Sequence, residues 1–236
     1  MADRILAVGA HPDDVEFGCA ALLIKEVRKG GAVKILVLSK GEAGSNGTPA
    51  EREQESRRAA ELIGAEIDFL DFGGDCGGDC HIECTPAATI RIAREIREYR
   101  PDIVLAPHTG ENQHPDHYRV GALTRDAARF ARFGGLSELK PLPAHTIRNL
   151  YYYAITQEIG LNPQILIDIS DALPLWEQAM RCHQSQAKTS GYVEMRMAAT
   201  RSWGLQTGVE YAMGLYLNDP ILLPDVSSLK LSSRKY

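Results

Sequence analysis

Short apolar runs alternate with helical segments along the first half of the chain, and this alternation constrains the fold more than any other feature. Apolar runs that predict buried strands lie at residues 5–8, 33–38, 67–70 and 103–106. Helix-spaced apolar residues predict helices between them, at residues 16–29, 50–63 and 86–99. Alternation of this kind favours a Rossmann-like α/β fold with a mostly parallel sheet and helices on both faces.

The second half of the chain continues the same pattern at a wider spacing. It predicts helices at residues 117–133, 172–182 and 193–203, and strands at residues 150–155 and 165–169. No stretch rich in Pro, Gly or Ser marks a domain boundary, and no repeat with a period of 20–50 residues is present. We therefore predict a single domain over residues 1–236.

Composition excludes several classes of protein. The chain has 26 Lys and Arg residues against 31 Asp and Glu residues, a net charge of −5, which argues against a dedicated nucleic-acid binder. No window approaches 18 consecutive apolar residues, so no membrane span is predicted. The N-terminus lacks the pattern of a secretory signal, so we expect a cytoplasmic location, where the five cysteines would be free thiols.

Histidine and aspartate residues cluster just after two of the predicted strands. His11-Pro12-Asp13-Asp14, with Glu16 beyond it, follows the first strand, whereas His108 and the segment His114-Pro115-Asp116-His117 follow the fourth. Ligands of open parallel sheets bind outside the carboxyl ends of the strands, so the two clusters can converge on one point. Imidazole and carboxylate groups suit a catalytic zinc ion, which takes three protein ligands and leaves one position for water.

The paired aspartates fit a division of labour at such a site. One carboxylate can bind the metal while its neighbour takes a proton from the water, whose pKa a metal lowers to about 7. A histidine left over from the second cluster could polarise a carbonyl group or protonate a leaving group. A single segment of either kind is more often only a turn, because Asp and Pro are turn formers; the two together are hard to explain in that way.

A second cluster, Cys76, Cys80, His81 and Cys84, offers an alternative metal site. Structural zinc usually takes two well-separated pairs of ligands, whereas these four residues crowd into nine positions. We therefore interpret them as loop thiols rather than a metal or redox site.

Taken together, these segments resemble the LmbE-like, or PIG-L-type, zinc-dependent de-N-acetylases, and most of all the branch that acts in bacillithiol biosynthesis. The resemblance runs in the family's order from residue 4 to about residue 224. Its matching segments are AHPDDVEFG (10–18), GEAGSNGT (41–48) with Arg52 and Glu55, YRPDIV (99–104), HPDH (114–117), DIS (168–170), SQ (185–186), GYVE (191–194) and GVEYA (208–212).

The resemblance implies a role for each matching residue. It implies that His11, Asp14 and His117 bind one zinc ion per chain, or another divalent metal. Asp13 would be the general base, and His114 would stabilise the oxyanion and assist departure of the amine. In the same way, Asp116 would support His114 or His117, Arg52 would bind the substrate, and Tyr192 would be a mobile active-site tyrosine.

The resemblance also implies what the protein acts on. It implies a hydrolase of linear amides that removes an acetyl group from a small-molecule N-acetylglucosamine-type sugar, such as N-acetylglucosaminyl malate, and that forms a trimer or hexamer. An amidase acting on a thiol–sugar conjugate, and a non-catalytic sugar- or metal-binding protein, are the alternatives. The branch carries an arginine after a histidine near residues 151–153, where this chain has His145 followed by Thr146, with Arg148 nearby. It also often has an acidic residue where this chain has Asn112, so the resemblance implies hydrolysis but does not fix the exact substrate.

Overall fold

The computed structural model describes residues 2–73, 78–110, 114–155, 160–187, 191–229 and 232–233. Within these ranges the strands are β1 (Arg4–Gly9), β2 (Ala32–Val37), β3 (Glu66–Phe69), β4 (Ile103–Pro107), β5 (Asn149–Tyr153), β6 (Ile165–Asp168) and β7 (Ala212–Leu217). The helices are α1 (Asp14–Gly18), α2 (Ala20–Arg28), α3 (Pro49–Ile63), α4 (Pro86–Tyr99), α5 (Pro115–Arg132), α6 (Leu173–Arg181), α7 (Gln184–Ala187) and α8 (Tyr192–Thr207).

The seven strands form one sheet in the order β3-β2-β1-β4-β5-β7-β6. The first five strands pair in parallel, and β7 pairs antiparallel with both β5 and β6. Strand order reverses between β1 and β4, because the chain first moves outwards through β2 and β3 and then returns to the other side of β1. The predicted α/β fold with a mostly parallel sheet is confirmed.

Helices cover both faces of the sheet, as the alternation of its side chains requires. On one face Ala7 and Ile35 pack in a core with residues of α1, α2, α3, α6 and α8. On the other face Leu6 and Leu36 pack with residues of α4 and α5. None of the helices in the described ranges combines the length and apolar character that crossing a bilayer would require.

The main differences from the sequence prediction are a divided helix and an additional strand. The helix predicted over residues 16–29 is divided at Cys19, whose extended φ of −147° ends α1 before α2 begins. Strand β7 was not predicted at all. It lies at the antiparallel end of the sheet, between β5 and β6.

Local signals explain why the other helices begin and end where they do. Helix α3 begins with a capping box in which the Thr48 side chain accepts from the Glu51 amide, and it ends at Gly64, which has a φ of 80°. Helix α4 begins after Thr85 with Pro86 in its first turn, as predicted. These short-range interactions fix the bounds of the elements that carry the site.

Candidate active site

The turn between β1 and α1 places Asp13 and Asp14 in different surroundings. Oδ2 of Asp14 accepts hydrogen bonds from the backbone amides of Ala10 (2.8 Å) and His11 (3.0 Å), which turns this carboxylate inwards. Asp13 has a φ of 111°, a left-handed conformation that costs energy for a residue other than glycine and is typical of functional sites. Asp13 consequently lines the cavity above the turn, while Asp14 is 2% exposed.

The start of α5 carries the second cluster. His114 caps the helix, since its Nδ1 accepts a hydrogen bond from the Asp116 amide at 3.2 Å, and Pro115 occupies the first turn. Because β1 and β4 are neighbours, this helix start lies beside the β1–α1 turn. The ring centroid of His11 is 4.7 Å from that of His114 and 5.3 Å from that of His117.

The imidazoles of His11 and His117 both approach the carboxylate of Asp14, and all three residues are buried. His117 Nε2 is 3.1 Å from Asp14 Oδ1, and His11 Nδ1 is 3.6 Å from Asp14 Oδ2. Two imidazoles and one carboxylate are the donor set that catalytic zinc takes from proteins. One ring nitrogen from each of His11, His114 and His117 lies within 4.8 Å of the other two, so by geometry alone His114 could also be a metal ligand.

His11 is held from behind by two carboxylates. Its Nε2 lies 3.2 Å from Asp116 Oδ2 and 3.0 Å from Asp79 Oδ1. An imidazole that binds metal through one nitrogen usually gives the hydrogen of the other to such a group, so this arrangement fits a metal at Nδ1. The imidazole nearest Asp116 is thus that of His11, whereas His114 Nδ1 is 3.9 Å from the same oxygen.

Asp79 was missed by the sequence analysis. It follows β3 in a loop, where its Oδ2 accepts a hydrogen bond from the Ala43 amide at 2.9 Å. The next amide, that of Cys80, donates to Asp116 Oδ2 at 2.7 Å. The signal for Asp79 in the sequence was the repeated Gly-Gly-Asp-Cys segment. We considered only the cysteines of this segment as functional candidates and not its aspartates.

Electrostatic interactions around His11 favour a cation. Burial alone would lower the pKa of His11, but the carboxylates of Asp14, Asp116 and Asp79 outweigh it and raise this pKa well above its ordinary value. Burial also opposes ionisation of Asp14, yet the neighbouring His117 and His11 hold the pKa of this carboxyl well below its usual range. The same negative field that binds a proton on His11 would attract a divalent metal.

The pKa of Asp13 is raised, whereas that of Asp14 is lowered. Burial, and after it the Asp14 charge, raise the pKa of Asp13 to about 6, while the charge of Arg52 acts to lower it. Arg52 Nη2 forms an ion pair with Asp13 Oδ2 at 3.7 Å, and the guanidinium group donates hydrogen bonds to the carbonyl oxygens of Gly41 (2.9 Å, from Nη1) and Pro12 (3.1 Å, from Nη2). Gly41 has a φ of 67°, and a Cβ there would overlap the guanidinium group. Arg52 therefore clamps the turn that carries Asp13.

His114 is placed to donate a hydrogen bond into the cavity. Its Nδ1 accepts from a backbone amide, so the neutral imidazole carries its hydrogen on Nε2. Burial, followed by the charges of His11 and His117, lowers the pKa of His114. This keeps the imidazole neutral, with the Nε2–H as the donor.

A cavity of about 410 Å³ lies over these residues. Of the residues predicted for the site, it is lined by His11, Asp13, Asp14, Arg52, His114, His117 and Tyr192. Asp116 lies beneath it, fully buried. Gln186 and Ile155 also line it, together with Cys80, whose thiol is exposed. A concave site of this size suits a small-molecule substrate.

Several residues noticed in the sequence lie elsewhere. His108 packs its ring 4.8 Å from that of Tyr216 and does not line the cavity. Glu16 is buried 3.5 Å from His183 Nε2, a histidine that the sequence analysis did not consider. Cys84 Sγ contacts the Arg119 carbonyl, so within the described residues the predicted cysteine segment forms no common cluster. Cys76 and Asn112 lie outside the described residues.

The expectation that Thr146 replaces a substrate-binding arginine is wrong. Thr146 precedes β5, whose first residue is Asn149, and therefore lies at the end of the strand opposite to the cavity. It lines a separate groove with arginine residues of α5. Arg148 lines the same groove and pairs with Asp3 at 2.6 Å, so it cannot substitute at the cavity either.

The fold is a mostly parallel α/β sheet with a cluster of His and Asp side chains beyond the ends of β1 and β4, and the sequence comparisons assign the chain to a family. A sequence model of the PIG-L family, described as GlcNAc-PI de-N-acetylase, matches residues 6–128. The chain belongs to this family of deacetylases.

Relatives from three organisms illustrate the similarity. The chain is 30% identical over 196 residues to diacetylchitobiose deacetylase of Thermococcus kodakarensis, covering 78% of this chain and 70% of that protein. It is 26% identical over 201 residues to the Probable N-acetyl-alpha-D-glucosaminyl L-malate deacetylase 2 of Bacillus anthracis, covering 79% and 82%. The crystal structure of the conserved protein TT1542 from Thermus thermophilus matches with a TM-score of 0.83 and 31% identity, covering 94% and 97%.

Proposed function

We propose that this protein is a metal-dependent hydrolase that removes the acetyl group from an N-acetylglucosamine-type substrate. The observation that carries the proposal is the convergence of His11, Asp14 and His117 beneath a cavity that Asp13 also lines. The related deacetylases of diacetylchitobiose and of N-acetylglucosaminyl malate support the substrate class.

His11 Nδ1, Asp14 and His117 Nε2 would hold the metal. They fit a zinc ion because the two imidazoles and the carboxylate converge, and because the far nitrogen of His11 already has carboxylate partners. When bound, a zinc ion polarises the acetyl carbonyl and makes water acidic enough to attack near neutral pH.

Asp13 acts as the general base in this mechanism. Its carboxylate lines the cavity, and its pKa of about 6 keeps it ionised near neutral pH yet basic enough to accept a proton from the attacking water. Arg52 holds the carboxylate in place through its clamp on the turn. The proton that Asp13 receives is then available for the departing amine.

His114 stabilises the charge that develops on the acetyl oxygen. The Nε2–H of its neutral imidazole is a fixed donor on the wall of the cavity, and its Nδ1 is held by the Asp116 amide. A preorganised donor of this kind contributes mainly in the transition state. Tyr192, at the start of α8, also lines the cavity, where it would contact the sugar.

Acetate release is the direct test. The purified protein, loaded with one equivalent of Zn²⁺, should release acetate from N-acetylglucosaminyl malate, diacetylchitobiose or N-acetylglucosamine, and the relative rates identify the sugar's second group. His11→Ala and His117→Ala should each lose both the metal and the activity, because two remaining protein ligands hold zinc poorly.

His108→Ala provides the matched control, since His108 follows the same strand as the second cluster but lies outside the cavity. It should keep the metal and the activity. A protein that binds the metal fully but releases acetate from none of the three sugars would contradict the proposed substrate class. A His11→Ala/His117→Ala double variant with full metal content would contradict the ligand assignment.

A further inference from the structure

The carboxylates around His11 exceed what one metal site uses. Asp14 lies near Nδ1 of the His11 ring, the nitrogen proposed to bind the metal. Asp79 and Asp116 both lie near the other nitrogen, Nε2. That nitrogen carries at most one hydrogen, so one of the two carboxylates suffices as its partner. Asp116 is the one fixed beneath the site, since it is fully buried and bound to the Cys80 amide. Asp79 Oδ1 contacts the same nitrogen at 3.0 Å and keeps a second lone pair for another ligand.

The thiol of Cys80 lies beside this oxygen. Its Sγ is 3.5 Å from Asp79 Oδ1 and 3.7 Å from His114 Nε2. The side chains of Asp79 and His114 also belong to a group of donors whose ligand atoms all lie within 4.8 Å of one another. The Cys80 thiol therefore lies within 3.7 Å of both an imidazole nitrogen and a carboxylate oxygen at the wall of the cavity.

These separations match the geometry of a tetrahedral zinc site. With bond lengths of about 2.3 Å to sulfur and 2.0–2.2 Å to nitrogen or oxygen, a tetrahedral ion places its sulfur roughly 3.5–3.7 Å from each other ligand. The two distances from Sγ, 3.5 and 3.7 Å, lie within this range.

We propose that Cys80, Asp79 and His114 form a second metal site that takes a thiophilic divalent cation, Zn²⁺ or Cd²⁺, and that occupation of this site inhibits the enzyme. Inhibition follows because the ion takes Nε2 of His114, the atom that would otherwise donate to the acetyl oxygen. This consequence rests on the proposed function, whereas binding of the ion does not.

Binding the second ion requires proton movements and the loss of one hydrogen bond, so we expect the second site to have a lower metal affinity than the first. The Cys80 thiol releases its proton to solvent, and a water molecule completes the four ligands. His114 must release the hydrogen on Nε2 and take one up on Nδ1, which gives up the hydrogen bond from the Asp116 amide. Asp116 Oδ2 lies 3.9 Å from Nδ1, so it accepts the moved hydrogen only after the ring has shifted towards it. We therefore expect the second ion to bind only after the first site is full.

Cadmium titration tests the proposal. Protein loaded with one equivalent of Zn²⁺ is titrated with Cd²⁺ while bound metal, ultraviolet sulfur-to-cadmium absorption and acetate release are measured. Wild type should gain a second metal per chain together with the absorption band, and its rate should fall as this metal binds. Cys80→Ser should gain neither metal nor band. Removing even a residue that only supports a metal ligand usually lowers metal affinity roughly 10–100-fold. Half-inhibition of Cys80→Ser should therefore need at least about 10-fold more Cd²⁺ than half-inhibition of wild type.

Cys84→Ser is the matched control, because its exposed thiol follows in the same loop but contacts the Arg119 carbonyl and not His114. It should behave as wild type. A Cys80→Ser protein that still binds the second metal, or a wild type that shows no sulfur-to-cadmium band, would overturn the site. A second metal with its band but no loss of rate would overturn the inhibition. If no variant deacetylates any sugar, the proposed function fails, while the metal content and the band still decide the site.

Discussion

Two adjacent aspartates acquire opposite properties from their contacts. Asp14 accepts hydrogen bonds from two backbone amides and lies beside two imidazoles, and its pKa lies well below the usual value because of those imidazoles. Asp13, one residue earlier, is only partly exposed and has the Asp14 charge beside it, and both effects raise its pKa to about 6. Neighbouring carboxylates with separated pKa values are typical of a site in which one binds and the other moves protons.

Replacing Asp13 separates these two roles. Asp13→Asn should keep the metal, because Asp14, His11 and His117 are untouched, and should lower kcat by ~10²–10⁴-fold, the usual loss of a general base. Metal analysis and acetate release on the same preparation measure both effects. Loss of the metal in Asp13→Asn would show that the two aspartates have exchanged roles.

Arg52 should set the acid limb of the pH profile. Its positive charge stabilises ionised Asp13 and lowers that pKa. The base must be ionised to work, so activity falls as the pH drops through its pKa, at or below about 6 when a bound cation acts in the same direction as Arg52. In Arg52→Met the limb should move to higher pH. A profile of kcat/KM against pH that is unmoved, with only KM raised, would instead make Arg52 a substrate-binding residue.

At the scale of elements, the direction of a strand decides which of its ends can take part in catalysis. The cavity lies over the carboxyl ends of β1 and β4, and β5 runs parallel to them. Ile155, just beyond the end of β5, lines the cavity, whereas Thr146 precedes the strand and lies in a different groove.

Thr146→Arg should therefore leave catalysis unchanged. The new guanidinium would join the arginines at the far end of α5, away from any substrate in the cavity. We expect kcat/KM within about two-fold of wild type for neutral and acidic N-acetyl sugars alike, since remote surface substitutions usually change free energies by no more than ~0.5 kcal/mol. A selective gain for the acidic sugar would contradict this placement.

At the scale of the whole molecule, the site joins distant parts of the chain. Its residues come from the β1–α1 turn, the loop after β3 and the start of α5, with Arg52 from α3 and Tyr192 from α8. A metal held between the first and third of these segments would link β1 and β4, the two strands between which the strand order reverses. Binding should therefore stabilise the fold as a unit.

Metal should raise the melting temperature. At a free Zn²⁺ concentration about 100-fold above Kd, the stabilisation is about 2.7 kcal/mol, which for a chain of this size corresponds to roughly 5–10 °C in Tm. Calorimetry with Zn²⁺ and with a chelator measures the difference. His11→Ala should show no such rise, and an equal rise in that variant would place the stabilising ion elsewhere.

The amino-acid sequence by itself determined the local features of this protein. Hydrophobic periodicity and helix caps located six of the seven strands and most helices, because both signals depend on neighbours along the chain. The rule that ligands bind at strand ends brought the two His/Asp clusters together, because only the order of elements is needed to apply it.

Only the tertiary structure decided what depends on contacts between distant residues. Asp79 and Cys80 join the site because a loop without periodicity folds over His11, and Thr146 leaves it because of where β5 begins. The pKa values of Asp13 and Asp14 differ because burial and neighbouring charges differ between identical side chains. The energies of burial and of charge pairs depend on distances through space, and these distances exist only once the chain has folded.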